Sequence, residues 1–260
     1  MNIRKNVVRC GALLAAALAM MPAVLAAETE TVYIPKTVPA ASLTPAAQTA
    51  EEDWKLLLVN PWHTLPEEYE MELATLSNGL QVDKRIYDDL EDMLSACREA
   101  GLSPIVCSAY RTEATQARLY RNKVARVRAS GVPEDQVEAE AARWVAKPGT
   151  SEHQTGLALD IVAASYQILD EKQEDTAEQQ WLMENSWKYG FVLRYPSEKS
   201  EITGIGYEPW HYRYVGKAAA AAMHRTGECL EEYLQRMEAL TSKPLLSVRP
   251  AEIPGTAAAI

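Results

Sequence analysis

Residues 148–161 have the sequence PGTSEHQTGLALDI, the most informative pattern in this chain. His153 lies in a glycine-bounded segment, and the alternating apolar run after it predicts a strand over 156–162. Asp160 is the single acid of that strand and shares a face with Ala158. A lone buried carboxylate there is costly in free energy. The stretch therefore predicts an aspartate that pairs with another group or binds a metal.

A second informative stretch, GYEPWHYRYVG, covers residues 206–216. The proline at 209 disfavours helical geometry at Glu208, so Glu208 and His211 are not neighbours on one helix face. We expect both residues at the start of a strand, with a kink that directs them inward. His211 would then belong to the same sheet as Asp160.

Two imidazoles and one carboxylate, with one position left for water, are typical of catalytic zinc sites. His153, Asp160 and His211 are the candidate ligands. Because zinc lowers the pKa of a bound water to about 7, a carboxylate that is not a ligand must accept the proton. Glu208 is the candidate for this general base.

The segment SAYRT, residues 108–112, places Arg111 at the end of a predicted strand. A fixed guanidinium at this point could stabilise the oxyanion of a tetrahedral intermediate or hold a substrate carboxylate. A salt bridge to a surface acid is the alternative role.

SAYRT at 108–112, SxHxxGxAxD at 151–160 and ExxH at 208–211 closely resemble the motifs of the VanY-type D-alanyl-D-alanine carboxypeptidases. Members of that family are zinc enzymes that trim peptidoglycan stem peptides. The resemblance spans about residues 54–234 and shows no departure at a metal or base position. It implies the α+β fold shared with hedgehog domains, a small antiparallel sheet with flanking helices.

The resemblance also implies a role for each candidate residue. It implies that zinc is held by the three candidate ligands, that Glu208 is the base and that Arg111 stabilises the transition state. It further implies a substrate pocket lined by Ser151, Gln116 and Tyr195.

The predicted reaction is hydrolysis of the C-terminal D-alanine of peptidoglycan stem peptides or precursors. Three alternatives stay open: an L,D-carboxypeptidase acting on tetrapeptides, an endopeptidase that cuts cross-links, and a wall-binding module without turnover. A serine mechanism is disfavoured because no serine has a lysine three residues later, as serine-type D-Ala-D-Ala carboxypeptidases require.

The pattern of apolar residues and turn residues predicts an irregular alternation of helices and strands, which favours an α+β fold over a doubly wound parallel sheet. Strands are expected over 55–59, 105–109, 156–162, 191–194 and 211–215. Helices are expected over 85–100, 113–130, 134–145, 176–189, 217–225 and 228–239.

The chain divides into four predicted parts. Residues 1–26 have a basic start, a short apolar stretch and small residues at a cleavage position, as in a signal peptide. Residues 27–52 are a predicted flexible linker, 53–241 the zinc carboxypeptidase domain, and 242–260 a loose tail. The expected location is therefore secreted or extracytoplasmic, in the cell envelope.

The formal net charge of −10 falls to −13 without residues 1–26, which hold three basic residues and no acid. An acidic protein without a basic surface is not expected to bind nucleic acid. Membrane attachment is expected only if the N-terminal segment stays uncleaved. Cys97 and Cys107 are predicted core residues, and a disulfide between them, like the oligomeric state, is left open.

Overall fold

The computed structural model describes residues 53–242, in which a small antiparallel sheet is flanked by helices. Its four strands lie in the order β3-β4-β6-β5, and β1 and β2 form a separate antiparallel pair. The α+β prediction is confirmed. The strands are β1 (Leu73–Thr75), β2 (Gln81–Asp83), β3 (Pro104–Ser108), β4 (Ala158–Ala163), β5 (Phe191–Leu193) and β6 (His211–Tyr214).

Within residues 53–242, six of the seven α-helices lie close to their predicted positions, and the short helix Ser200–Thr203 was not predicted. The helices are α1 (Tyr87–Glu99), α2 (Glu113–Ala129), α3 (Val137–Ala142), α4 (Ala177–Asn185), α5 (Ser200–Thr203), α6 (Lys217–Thr226) and α7 (Leu230–Ser242). The expected helix over 134–145 is shorter than predicted, and the one over 176–189 ends in a 3-10 turn, Ser186–Tyr189.

Strand β4 is the centre of the molecule, because all of its residues are buried and it pairs with both β3 and β6. Helix α1 covers one face of the sheet with Leu90, Met93, Leu94 and Cys97, which recur at helical spacing. Burial of each large apolar side chain contributes about 1.5–3 kcal/mol. The sheet that carries Asp160 is thus fixed by a continuous core.

Helices α6 and α7 form a second apolar cluster with β5, through residues such as Met223 and Leu230. The apolar run at the start of the described chain, including Leu56 and Leu58, packs against this cluster. The predicted strand over 55–59 is wrong, because Asp53–Leu56 forms a 3-10 helix and no strand follows it. The run is apolar because it covers the second cluster.

Other differences from the sequence predictions are local. The β1–β2 hairpin was not expected, although Asn78 and Gly79 lie at its turn. Cys97 is buried as predicted, whereas Cys107 is exposed on β3, and both cysteines are free thiols. The disulfide that the sequence left open is therefore not formed.

The predicted signal peptide, the predicted linker and all but the first residue of the predicted tail lie outside the described residues. Within residues 53–242 no helix has the length and apolar character that crossing a bilayer requires.

Gly156 must be a glycine for two separate reasons. Its φ is +72°, and a Cβ would lie 2.8 Å from the backbone nitrogen of Asp83. We expect Gly156→Ala to lower the free energy of unfolding by about 1–2 kcal/mol for the left-handed backbone and by about 1–3 kcal/mol more for the overlap. Urea denaturation measures the loss.

Gly101→Ala is the matched control, because Gly101 has φ +84° but no atom within 4 Å of an added Cβ. It should show the backbone cost alone. Equal losses in the two variants would contradict a close approach at Gly156.

Candidate active site

The three predicted metal ligands meet in one buried cluster. His153 lies in a 3-10 turn, Glu152–Thr155, Asp160 lies in β4, and His211 is the first residue of β6. One ligand atom from each residue lies within 4.8 Å of the others. Side chains that are far apart in the sequence therefore converge as predicted.

Two backbone features create this convergence. Gly156 ends the 3-10 turn in the left-handed conformation, which allows the chain to pass from His153 directly into β4. The antiparallel register then places Asp160 directly opposite His211. Before β6, the backbone nitrogen of His211 donates to the carbonyl of Glu208 at 3.1 Å, which is the expected kink.

The two histidines present opposite ring nitrogens to the cluster. Nδ1 of His153 lies 2.8 Å from the backbone carbonyl of Ala109, while its Nε2 lies 3.3 Å from Asp160 Oδ1. In His211 the arrangement is reversed, with Nδ1 3.2 Å from Asp160 Oδ1 and Nε2 3.4 Å from Glu152 Oε2. A carbonyl accepts only from a protonated nitrogen, so Nε2 of His153 keeps its lone pair for the cluster.

Asp160 supplies the test of whether a metal fits. Its Oδ2 accepts a hydrogen bond of 2.8 Å from Arg111, but its buried Oδ1 has no hydrogen-bond partner among the described residues. A buried carboxylate oxygen without a partner is costly. Nitrogen, nitrogen and carboxylate oxygen donors suit zinc, so the cluster has both the composition and the unmet requirement of a zinc site.

The pKa values of the cluster reflect its burial and its charges. Burial and the nearby Arg111 lower the pKa of His153 to about 4, so this imidazole is neutral and available as a ligand. Burial disfavours the ionised form of Asp160, but His153, His211 and Arg111 outweigh it and hold the pKa well below the usual range. The carboxylate is therefore charged.

His211 differs from His153 in its surroundings. Burial favours its neutral form, but its contacts with Asp160 and Glu152 outweigh burial and raise its pKa to about 9. Two carboxylates thus attract positive charge to this imidazole. The same carboxylates would attract a divalent cation in the cluster, which would replace the proton on the ring.

Glu208 lies beside the cluster without belonging to it. Its Oε2 is 3.6 Å from His211 Nδ1, and its backbone nitrogen donates to the carbonyl of Tyr195 at 3.1 Å. Burial and the Asp160 carboxylate raise its pKa to about 8, although His211, Arg111 and Lys123 oppose this. A carboxyl group with such a pKa can accept and return a proton near neutral pH.

Arg111 lies next to the cluster rather than at a surface salt bridge. Its Nη2 donates to Asp160 and lies 3.1 Å from His153 Nε2, and its Nε donates to Ser108 Oγ at 3.0 Å. Gln116 holds the same guanidinium, because its Oε1 accepts from Arg111 Nη1 at 3.3 Å. The Gln116 amide nitrogen donates to the carbonyl of Ala146 at 2.7 Å, so this side chain positions Arg111.

A cavity of about 760 Å³ opens on the cluster and is lined by the predicted pocket residues Ser151, Gln116 and Tyr195. The Tyr195 ring packs against His211 with centroids 4.7 Å apart. The cavity is large enough for a peptide rather than a single amino acid. The structure thus brings all eight predicted site residues to one cavity.

Thirteen further residues that line the cavity were not predicted, among them Lys123, Arg126, Trp144 and Glu152. Lys123 and Arg126 follow Gln116 along α2 at spacings that keep them on one side of the helix, a signal that the sequence does contain. Glu152 precedes a predicted ligand, but its partners come from distant strands. No local pattern could have indicated its role.

Comparisons with known proteins agree with this geometry. Residues 79–217 match the family described as VanY, D-alanyl-D-alanine carboxypeptidase. The chain is also 48% identical over 187 residues to a D-alanyl-D-alanine carboxypeptidase of Enterococcus faecalis, an alignment that covers 72% of this chain and 68% of that protein.

Solved structures show the same fold. A VanY variant from a VanB-type resistance cassette, in complex with Zn(II), is 48% identical, with a TM-score of 0.64 over 70% of this chain and 99% of that one. VanYB in complex with D-alanine-D-alanine is 48% identical, with a TM-score of 0.65 over 70% and 98%. The LD-carboxypeptidase LdcB is 36% identical, with a TM-score of 0.58 over 68% and 84%.

The α+β fold and the His-Asp-His cluster beside a buried glutamate define a zinc metallopeptidase. Within that class, this chain belongs to the VanY family of D-alanyl-D-alanine carboxypeptidases. It is therefore a carboxypeptidase whose metal is zinc.

Zinc should stabilise the folded protein through this cluster. Because a ligand that binds only the folded state adds about 4 kcal/mol at 1,000 times its Kd, we expect zinc to raise the thermal midpoint of the metal-free protein. His153→Ala should abolish the rise, as measured by differential scanning calorimetry.

His224→Ala is the control, since His224 stacks on Trp187 and is not one of the clustered ligands. It should keep the full zinc-dependent rise. A rise that survives in His153→Ala would show that zinc binds elsewhere.

Proposed function

We propose that this chain removes the C-terminal D-alanine from peptidoglycan stem peptides or their precursors, with zinc held by His153, Asp160 and His211. The observation that carries the proposal is the buried Asp160 Oδ1, which faces two imidazole nitrogens and has no hydrogen-bond partner among the described residues. Membership of the VanY family supports the same reaction.

When bound, zinc supplies a Lewis acid that activates water and polarises the scissile carbonyl. Glu208 acts as the general base and takes one proton from the attacking water as its oxygen forms a bond to the carbonyl carbon. As the carbon–nitrogen bond breaks, Glu208 returns the proton to the departing D-alanine amine. Its burial beside His211 supports this role, since the carboxyl group is close to the cluster without ligating.

Arg111 stabilises the negative charge that develops on the carbonyl oxygen. Its guanidinium is already fixed by Ser108 and Gln116, so little reorganisation is needed during the reaction. A preorganised cation in a cavity with little water acts more strongly than one in solution.

The cavity suits a peptide with a free carboxylate. Arg111, Lys123 and Arg126 line it together with the acids Asp170 and Glu171. The three basic side chains can attract the C-terminal carboxylate that every carboxypeptidase substrate carries. Ser151 and Tyr195 line the cavity close to the zinc ligands, and we assign them to the binding of the terminal residue.

An L,D-carboxypeptidase is the second candidate, because the chain also resembles LdcB in fold and sequence. The two reactions use the same chemistry on different bonds. Higher identity to VanY structures favours the D,D reaction.

Mass spectrometry of purified muropeptides separates the two candidates. Conversion of pentapeptides to tetrapeptides supports the D,D reaction, and conversion of tetrapeptides to tripeptides supports the L,D reaction. Cleaved cross-links would indicate an endopeptidase. Binding of stem peptides without any product would indicate a wall-binding module and would refute an enzymatic role.

We also propose that the enzyme works outside the cytoplasm. Residues 1–26 would direct export, residues 27–52 would act as a spacer before the domain at 53–241, and residues 242–260 would form the tail. The basic and then apolar N-terminal sequence supports export, as does a substrate that is part of the cell wall.

Glu208→Gln should bind zinc normally but lose activity. The amide keeps the shape of the side chain and cannot accept the proton, so we expect kcat to fall by about 10²–10⁴-fold. Release of D-alanine from a pentapeptide measures the rate, and metal analysis measures the zinc content.

Glu99→Gln provides the control, because Glu99 is exposed at the end of α1. Its activity should equal that of the wild type. Wild-type turnover by Glu208→Gln would refute the assigned base, and loss of zinc from that variant would instead make Glu208 part of the metal site.

A further inference from the structure

The two candidate histidine ligands are oriented by different kinds of group. The backbone carbonyl of Ala109 orients His153, and no substitution of a side chain can remove it. A side chain, Glu152, faces the ring nitrogen of His211 that points away from Asp160. The orientation of His211 thus depends on a residue that is not a member of the ligand cluster.

Glu152 is completely buried in a network of charged side chains. Its Oε1 accepts hydrogen bonds of 2.8 Å from Arg194 Nε and from Arg213 Nη1. Arg194 is in turn held by Glu231 through bonds of 2.8 and 2.6 Å. Burial disfavours the charge on Glu152, but the two arginines outweigh it and hold its pKa far below the usual range.

The two oxygens of Glu152 have different partners. Both arginines donate to Oε1. If Glu152 served only to balance the charge of the arginines, Oε2 would not need to face an imidazole, and any neutral neighbour would be enough. Oε2 instead lies 3.4 Å from His211 Nε2. The arginines fix the rotation of the carboxylate, and the carboxylate then offers a fixed acceptor to the imidazole.

We propose that Glu152 is a positioning residue that keeps the proton of His211 on Nε2 and thereby leaves Nδ1 free to hold zinc. This inference rests on the proposed zinc site and adds to it a residue that does not touch the metal. A carboxylate that accepts from the outer nitrogen of a ligating histidine fixes the tautomer and increases the basicity of the inner nitrogen.

Glu152→Gln tests the proposal because the arginines determine how the amide must lie. Two donors converge on the Oε1 position, so the amide oxygen must occupy it, and the amide NH₂ must face His211 Nε2. A donor there favours the tautomer with its proton on Nδ1, where zinc should bind. Zinc affinity, measured by competition with a chromophoric chelator, should fall by about 10–100-fold.

Glu231→Gln is the matched control. It also removes one carboxylate charge from Arg194, but Glu231 contacts Arg194 and Asn60 and not His211. We expect both variants to lose stability and only Glu152→Gln to lose zinc affinity. Equal zinc affinities in the two folded variants would overturn the proposal and assign Glu152 to charge balance alone.

A measurement on the full wild-type chain decides the matter even if Glu152→Gln does not fold. In the zinc-loaded protein, ¹⁵N chemical shifts of His211 should show a protonated Nε2 and a metal-bound Nδ1. The reverse assignment would overturn the role of Glu152 while leaving the zinc site intact. A wild-type protein that binds no zinc would overturn the proposed function itself, and the role of Glu152 with it.

Discussion

The pairing of β4 with β6 is the constraint on which the remainder of the site depends. It places Asp160 directly opposite His211 in a sheet that is covered by helices, so a carboxylate and an imidazole lie side by side with little exposed surface. Burial of these groups is costly unless each finds a partner. Nearby cations, carbonyls and carboxylates offset that cost, but within residues 53–242 one oxygen of Asp160 has no hydrogen-bond partner. The architecture of the sheet and the chemistry of the site are therefore consequences of the same register.

Elements that are determined by residues close together in the sequence could be predicted from it. The alternation around Asp160 and the helical spacing of Leu90, Met93 and Leu94 each reflect one face of one element, and the structure confirms both elements. The predicted strand over 55–59 was wrong, because an apolar run indicates burial but not backbone conformation. There the carbonyls of Lys55 and Leu57 accept hydrogen bonds from Arg213, a residue far along the chain. No property of residues 55–59 could indicate that partner.

The groups of the candidate site are likewise of two kinds: those that the sequence indicates and those that it does not. The family motifs made His153, Asp160, His211, Glu208 and Arg111 candidates from the sequence, and the structure brings these five side chains to one cavity. The groups that orient them could not be predicted. The Ala109 carbonyl has no sequence signature, and the contact between Glu152 and His211 depends on how two strands and a helix pack. The motifs indicate candidate reacting groups, whereas the groups that hold them in place are visible only in the structure.

The connection from Glu152 through Arg194 to Glu231 has a consequence for the order of assembly. Glu231 lies in α7, the last helix of the described chain, whereas Glu152 and His153 precede most of the sheet. Until α7 docks, Arg194 lacks one of its two carboxylate partners, although Glu152 can already contact both Arg213 and His211. The last described helix is therefore needed to neutralise a buried cation rather than to shape the metal cluster. A chain still emerging from the ribosome or from a translocation channel would thus complete this charge balance only when α7 is in place.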